Sequence, residues 1–132
     1  MLFRSAYDKT TTTGPPKWSY PSSDVGAISS PATASDGTIY FSDAINSELQ
    51  AIAPGASSAT MKWNFKGPVG TTLSGVGTEV AIDANGIAYF GNGSNLFALI
   101  TDVGAAAPAV GSDWPRTGFD NCNSSNTGFT CQ

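Results

Sequence analysis

Ser35-Asp36-Gly37-Thr38-Ile39-Tyr40-Phe41 is echoed 49 residues later, Tyr to Tyr, by Ala84-Asn85-Gly86-Ile87-Ala88-Tyr89-Phe90. Each stretch opens on a turn dipeptide, Asp-Gly or Asn-Gly, and continues into a β-branched and aromatic run. That is the strongest short-range hairpin signal, and it predicts a tight primed turn at each place. The echo extends outward in both directions. Upstream, Lys17-Trp18-Ser19-Tyr20 matches Lys62-Trp63-Asn64-Phe65, and Trp18 to Trp63 is 45 residues. Downstream, Glu48-Leu49-Gln50-Ala51-Ile52 matches Asn95-Leu96-Phe97-Ala98-Leu99, and Ala51 to Ala98 is 47 residues. A third unit opens at Asp113-Trp114-Pro115. A period in the mid-forties is the length of a four-stranded propeller blade.

Local signals divide each unit into four short strands. Trp18–Tyr20 and Trp63–Phe65 alternate aromatic and polar residues, as half-buried strands do. The second strand is expected near Ala27–Thr33, and near Gly70–Gly75 in the next unit. The third is Thr38–Phe41, then Ile87–Phe90, and the fourth is Glu48–Ala53, then Asn95–Ile100. No long segment has a helical period. The expected fold is therefore all-β, a partial β-propeller of about two four-stranded antiparallel blades plus flanking strands. Its expected divisions are 1–17 as the end of a preceding blade, 18–62 and 63–113 as blades, and 114–132 as a closing strand and polar tail. Such blades bury their faces against neighbours, and rings usually need several. The chain is therefore expected to be a C-terminal piece of a larger propeller, marginal alone, with the remaining blades or further copies as partners. Leu2-Phe3-Arg4-Ser5 matches what a common sequencing-adapter end encodes in one frame, so residues 1–5 are expected to be non-native.

The pattern Lys-Trp, Ser-Ser-Pro-Ala, Asp-Gly-Thr-Ile-Tyr-Phe, Leu-Gln-Ala-Ile resembles repeats of the pyrroloquinoline-quinone (PQQ) type. Ala6-Tyr7-Asp8, Thr13-Gly14 and Trp18 match the way a blade of that family ends. Ala51 with Trp63, and Ala98 with Trp114, repeat the Ala and Trp. The resemblance covers about residues 6–115 and places this chain with the quinoprotein-dehydrogenase-like propellers. It implies that Trp18, Trp63 and Trp114, with Tyr40, Tyr89, Gly37 and Gly86, serve packing between blades. Their recurrence once per unit also argues for packing, since a single active site would not repeat. The sequence departs from the family after Ala51, where Ala53 stands in the place that Asp8 holds, and at Thr72-Leu73-Ser74, which stands in place of Ser-Ser-Pro.

Composition narrows the chemistry. Charged residues are 12% of the chain, and 6 basic against 10 acidic residues give a net charge of −4. The basic residues are scattered, so nothing neutralises phosphates, and neither nucleic-acid binding nor an anionic membrane surface is expected. No apolar run approaches a bilayer span. The chain has no His, which excludes His-based acid–base or triad catalysis within it. Asp36, Asp43 and Asp83 fall in or beside turns, where Asp bonds its own backbone. No catalytic or metal residue is expected. Cofactor-binding candidates are confined to small hydroxyls that inner strands would turn toward a channel: Ser29, Ser30, Thr71, Thr72 and Ser74. Cys122 and Cys131, in a polar tail, read as a disulfide and so as an extracytoplasmic location, periplasmic, secreted or cell-surface. The leading expectation is a non-catalytic binding or scaffold propeller, with another protein as a further partner and no cofactor. The alternatives are the C-terminal part of a PQQ-dependent dehydrogenase, needing PQQ with calcium and an active site outside this chain, and a carbohydrate- or surface-binding propeller.

Overall fold

The computed structural model describes residues 3–6, 14–21, 29–68, 79–83, 85–92 and 95–101. These residues are all-β, with no helix among them. Strands β1 (Phe3–Ala6) and β2 (Trp18–Pro21) pair antiparallel. Strands β3 (Ala32–Thr33), β4 (Ile39–Asp43), β5 (Glu48–Pro54) and β6 (Ala59–Phe65) form a four-stranded antiparallel meander. Strands β7 (Ala81–Ile82), β8 (Ile87–Gly91) and β9 (Leu96–Ile100) form a three-stranded one. β4, β5, β8 and β9 lie where the β-branched and aromatic runs place them.

The two sheets repeat one plan. Tyr40 pairs with Ala51 and Tyr89 with Ala98. Phe41 pairs with Gln50 and Phe90 with Phe97. The turns repeat as well. The Gly37 N–H donates to Ala34 O at 2.9 Å, and the Ala34 N–H to Thr38 O at 2.8 Å. In the second sheet Gly86 donates to Asp83 O at 3.1 Å and Asp83 to Ile87 O at 3.0 Å. Gly37 has φ +85° and Gly86 +83°, whereas Asp36 is not among the residues of positive φ. Each connection is thus a three-residue loop whose last residue is left-handed, not the expected two-residue primed turn. The left-handed position is a glycine in both loops, the residue that takes positive φ without cost.

The sequence-based cut between residues 62 and 63 falls inside β6. Trp63 pairs opposite Ala51 and completes the sheet that precedes it. β2, with Trp18, ladders with β1, and among the described residues it bridges to Ser58, beside the four-stranded sheet, through Ser19. Among the described residues β3 is shorter than the expected strand at 27–33. The stretch expected at 70–75 lies outside the described residues.

The sheets stack through one apolar core. Ala32, Ala34, Tyr40, Leu49 and Ala51 of the first meet Val80, Ile82, Ala88 and Phe90 of the second, with Trp63, Phe65, Phe97 and Leu99 packed around them. On its other face the first sheet packs Phe41, Ile52 and Ala59 against Tyr20, with Trp18 and Ile39 alongside. β5 is therefore buried on both faces from Glu48 to Ile52. β9 alternates, its inward residues half-buried and its outward ones exposed.

Candidate functional site

Among the described residues, a cluster of buried polar side chains lies at the β4–β5 turn. The register places Asp43 opposite Glu48 and Phe41 opposite Gln50, so Asp43, Glu48 and Gln50 share one face. All three are buried. Asp43 holds the turn: its Oδ1 accepts the N–H of Ile45 at 3.1 Å and of Asn46 at 3.2 Å, and its Oδ2 accepts Asn46 Nδ2 at 3.1 Å. Ser47 completes the turn in the left-handed region, with φ 53°. Gln50 Nε2 donates to Asp43 Oδ2 at 3.4 Å and to Glu48 Oε1, bridging the two carboxylates. Asn64 Nδ2 donates to Glu48 Oε2 at 2.6 Å, and Lys66 Nζ lies 3.7 Å from the same oxygen. Buried carboxylates need donors, and amide hydrogens of three side chains supply them here. Gln50 Oε1 is buried and finds no hydrogen-bond partner among the described residues. The arrangement ties a turn to strands β5 and β6. Every carboxylate in it faces donors.

Two further carboxylates hold the β3–β4 and β7–β8 turns. Asp36 accepts the Thr38 N–H at 2.9 Å and the Thr38 hydroxyl at 2.7 Å, and Lys62 Nζ lies 3.3 Å away. Burial pushes the Asp36 pKa up, but the bonds from Thr38 and Lys62 outweigh it and leave it below the ordinary value. Lys62 is able to reach Asp36 because it is the extra residue of a β-bulge. Trp63 pairs with Ala51 and Met61 with Ile52, so Lys62 is left between them. Asp83 accepts the N–H of Ile87 at 2.8 Å and of Asn85 at 2.9 Å. The Ile87 bond is the main reason its pKa is lowered. Tyr89 donates its hydroxyl to Asp83 Oδ2 at 3.3 Å. Desolvation, then the Asp83 charge, raises the Tyr89 pKa.

The sequence-derived candidates fall as follows. Ser29 is buried, and its hydroxyl accepts the Ser42 N–H at 2.9 Å, so it is tied to the end of β4. Ser30 is half-buried beside it. Thr71, Thr72, Ser74, Trp114, Cys122 and Cys131 lie outside the described residues. Trp63 meets Tyr40 with ring centroids 5.6 Å apart, tilted by 52°. Trp18 packs at the edge of the second cluster. The sequence reading missed Glu48, Gln50 and Asn64. Glu48-x-Gln50 looks like the wet face of a half-buried strand, and only the pairing with Asp43 across the hairpin signals a shared cluster. An apolar groove of about 300 Å³ runs between β6 and β9, lined by Trp63, Asn64, Phe65, Leu99, Ile100 and Thr101. No protein-family model, curated protein or solved structure matches this chain.

Proposed function

We propose that the chain is part of a β-propeller of PQQ-like repeat type, serving as a non-catalytic binding or scaffold module outside the cytoplasm. One observation carries this reading. The two sheets share the Tyr–Ala register and the same left-handed turn, and each stacks so that equivalent residues face the same way. Tyr40 and Ala51 look toward the second sheet, and Tyr89 and Ala98 look away from the first. A head-to-tail stack of equivalent sheets is the geometry from which propellers are made. The absence of His and the scarcity of charge in the sequence favour a binding role over catalysis within this chain. The blade partners are further blades of the same ring, on a parent chain or on other copies.

The test is light scattering and sedimentation of the purified chain, with and without PQQ and Ca²⁺. A defined oligomer of folded chains, indifferent to PQQ, supports a ring-forming module. Stoichiometric PQQ uptake with ordering would replace this reading with the dehydrogenase one. A folded monomer with no tendency to associate would remove the propeller.

A further inference from the structure

The register makes Asp43, Glu48 and Gln50 the counterparts of Asn92, Asn95 and Phe97, since Tyr40 pairs with Ala51 as Tyr89 does with Ala98. The second hairpin closes with no charge at these places. Asn92 donates its N–H to Asn95 O at 3.1 Å, and its Oδ1 accepts the Asn95 N–H at 2.9 Å. Closing such a turn therefore does not require two carboxylates. In the first sheet they are buried nonetheless, with Asp43 2% and Glu48 4% exposed. Taking carboxylates out of water is costly unless opposite charge accompanies them. Lys66 Nζ lies 3.7 Å from Glu48 Oε2, but its side chain is 70% exposed, so water screens much of its charge. Gln50 gives a second, independent signal. It is 4% exposed, and its Nε2 touches both carboxylates. Its Oε1 is buried with no hydrogen-bond partner among the described residues. Oε1 shares an amide with that nitrogen, so it stands beside the same two carboxylates. An orphaned buried acceptor carries its full desolvation penalty.

We propose that Asp43, Glu48 and Gln50 form a site for a hard divalent cation of the Ca²⁺ class. A cation is the species that two carboxylates and an unpartnered amide oxygen accept together. It supplies the missing positive charge and gives Oε1 a partner at once. The ligand atoms are all oxygens, Asp43 Oδ2, Glu48 Oε1 and Gln50 Oε1, and oxygen ligands suit Ca²⁺ or Mg²⁺ rather than the softer transition metals. Ca²⁺ accepts irregular sets of carboxylate and amide oxygens, whereas Mg²⁺ demands near-ideal octahedral geometry and sheds its waters reluctantly. Among the described residues no three His, Cys, Asp or Glu side chains gather as a metal group. Two carboxylates therefore set the charge of the site, and its affinity is modest. The site rests on the β4–β5 hairpin alone, so it is judged apart from the ring and from any PQQ.

The experiment uses the full chain, stripped with a chelator and titrated calorimetrically with Ca²⁺ and with Mg²⁺, in the absence of PQQ. Thermal unfolding is followed by circular dichroism at the same concentrations. The expected result is one saturable Ca²⁺ site with a Kd of about 0.1–1 mM, the range of weak extracellular modules, and a Tm that rises with Ca²⁺. Mg²⁺ should bind about tenfold more weakly. Glu48→Gln keeps the shape and one acceptor oxygen but removes a charge, and should weaken Ca²⁺ by about tenfold or more. Gln50→Met keeps the volume and removes Oε1, with the same expected loss. Asp83→Asn, in the β7–β8 turn, should leave the Ca²⁺ affinity unchanged. A wild-type chain that neither binds Ca²⁺ nor gains order with it overturns the proposal, and this arm decides even where a variant fails to fold. Ca²⁺ binding that survives both Glu48→Gln and Gln50→Met undiminished also overturns it, because the ion would then lie elsewhere.

Discussion

Replacing Gly37 with alanine isolates the cost of a left-handed backbone in this fold. Gly37 sits at φ +85°, and a Cβ built there would meet no atom within 4 Å. No steric clash contributes, so the cost is the backbone's alone. An L-residue with a Cβ pays about 1–2 kcal/mol in that region. The stiffer unfolded chain returns less than about 1 kcal/mol of this. A net loss of about 1 kcal/mol is expected, which lowers a urea midpoint by roughly 0.5–1 M for a small domain. Gly37→Asn should lose less, because asparagine tolerates the left-handed region. Gly14→Ala is the matched control, since Gly14 has no positive φ and its Cβ also meets nothing within 4 Å. It should change stability by no more than about 0.5 kcal/mol. Urea unfolding followed by tryptophan fluorescence reads all three. A Gly37→Ala midpoint equal to that of Gly14→Ala would mean the turn is not left-handed at its third residue. A loss above about 3 kcal/mol would mean that position 37 is packed against something.

Phe90 is buried between the sheets and contacts Phe97 at 5.3 Å, stacked, and Phe65 at 6.1 Å, edge-on. Phe90→Ala should therefore cost about 3–5 kcal/mol and abolish cooperative thermal unfolding, while Ile45→Ala, at an exposed turn position, should leave the transition within about 0.5 kcal/mol. Glu48→Leu removes the acceptor for Gln50 and Asn64 and should cost about 2–3 kcal/mol in chemical denaturation, with Glu48→Gln losing less. Asp36 and Asp83 have pKa values lowered in the folded state, so the stability they contribute is present above the unfolded carboxylate pKa and is lost as pH falls through the folded values. Urea midpoints should thus drop below about pH 4, and Asp36→Asn with Asp83→Asn should flatten that drop. Tyr89 has the opposite sign: its raised pKa means stability that is full below about pH 10 and lost as pH rises through the folded value, which Tyr89→Phe should remove, as alkaline denaturation followed by circular dichroism would show.

The sequence by itself determined where β4, β5, β8 and β9 run. Asp36-Gly37 and Asn85-Gly86 are local signals, and the alternation of aromatic, β-branched and small residues beyond them is local too. Backbone preferences of a few residues decide such features before any sheet exists. Turn type was beyond reach, because Asp-Gly and Asn-Gly suit both a two-residue and a three-residue loop, and only the pairing of Ala34 with Thr38 chooses. The sheet to which Trp63 belongs was also decided by tertiary structure. A strand between two meanders offers the same amides and carbonyls to either side, and no residue in Lys62-Trp63-Asn64-Phe65 encodes the side chosen. The bulge at Lys62, its bond to Asp36, and the packing of Trp63 on Tyr40 record that choice. Glu48 and Gln50 show the same limit. As letters in an alternating strand they belong to a wet face, but layers on both sides of β5 bury them, and their hydrogen bonds to Asp43 and Asn64 join residues that only the hairpin and its neighbour bring together. Leu96 and Ile100 are the converse, apolar residues on the face that the stack leaves uncovered. Strand content is a property of short segments, whereas the burial of a face depends on which layer comes next to it.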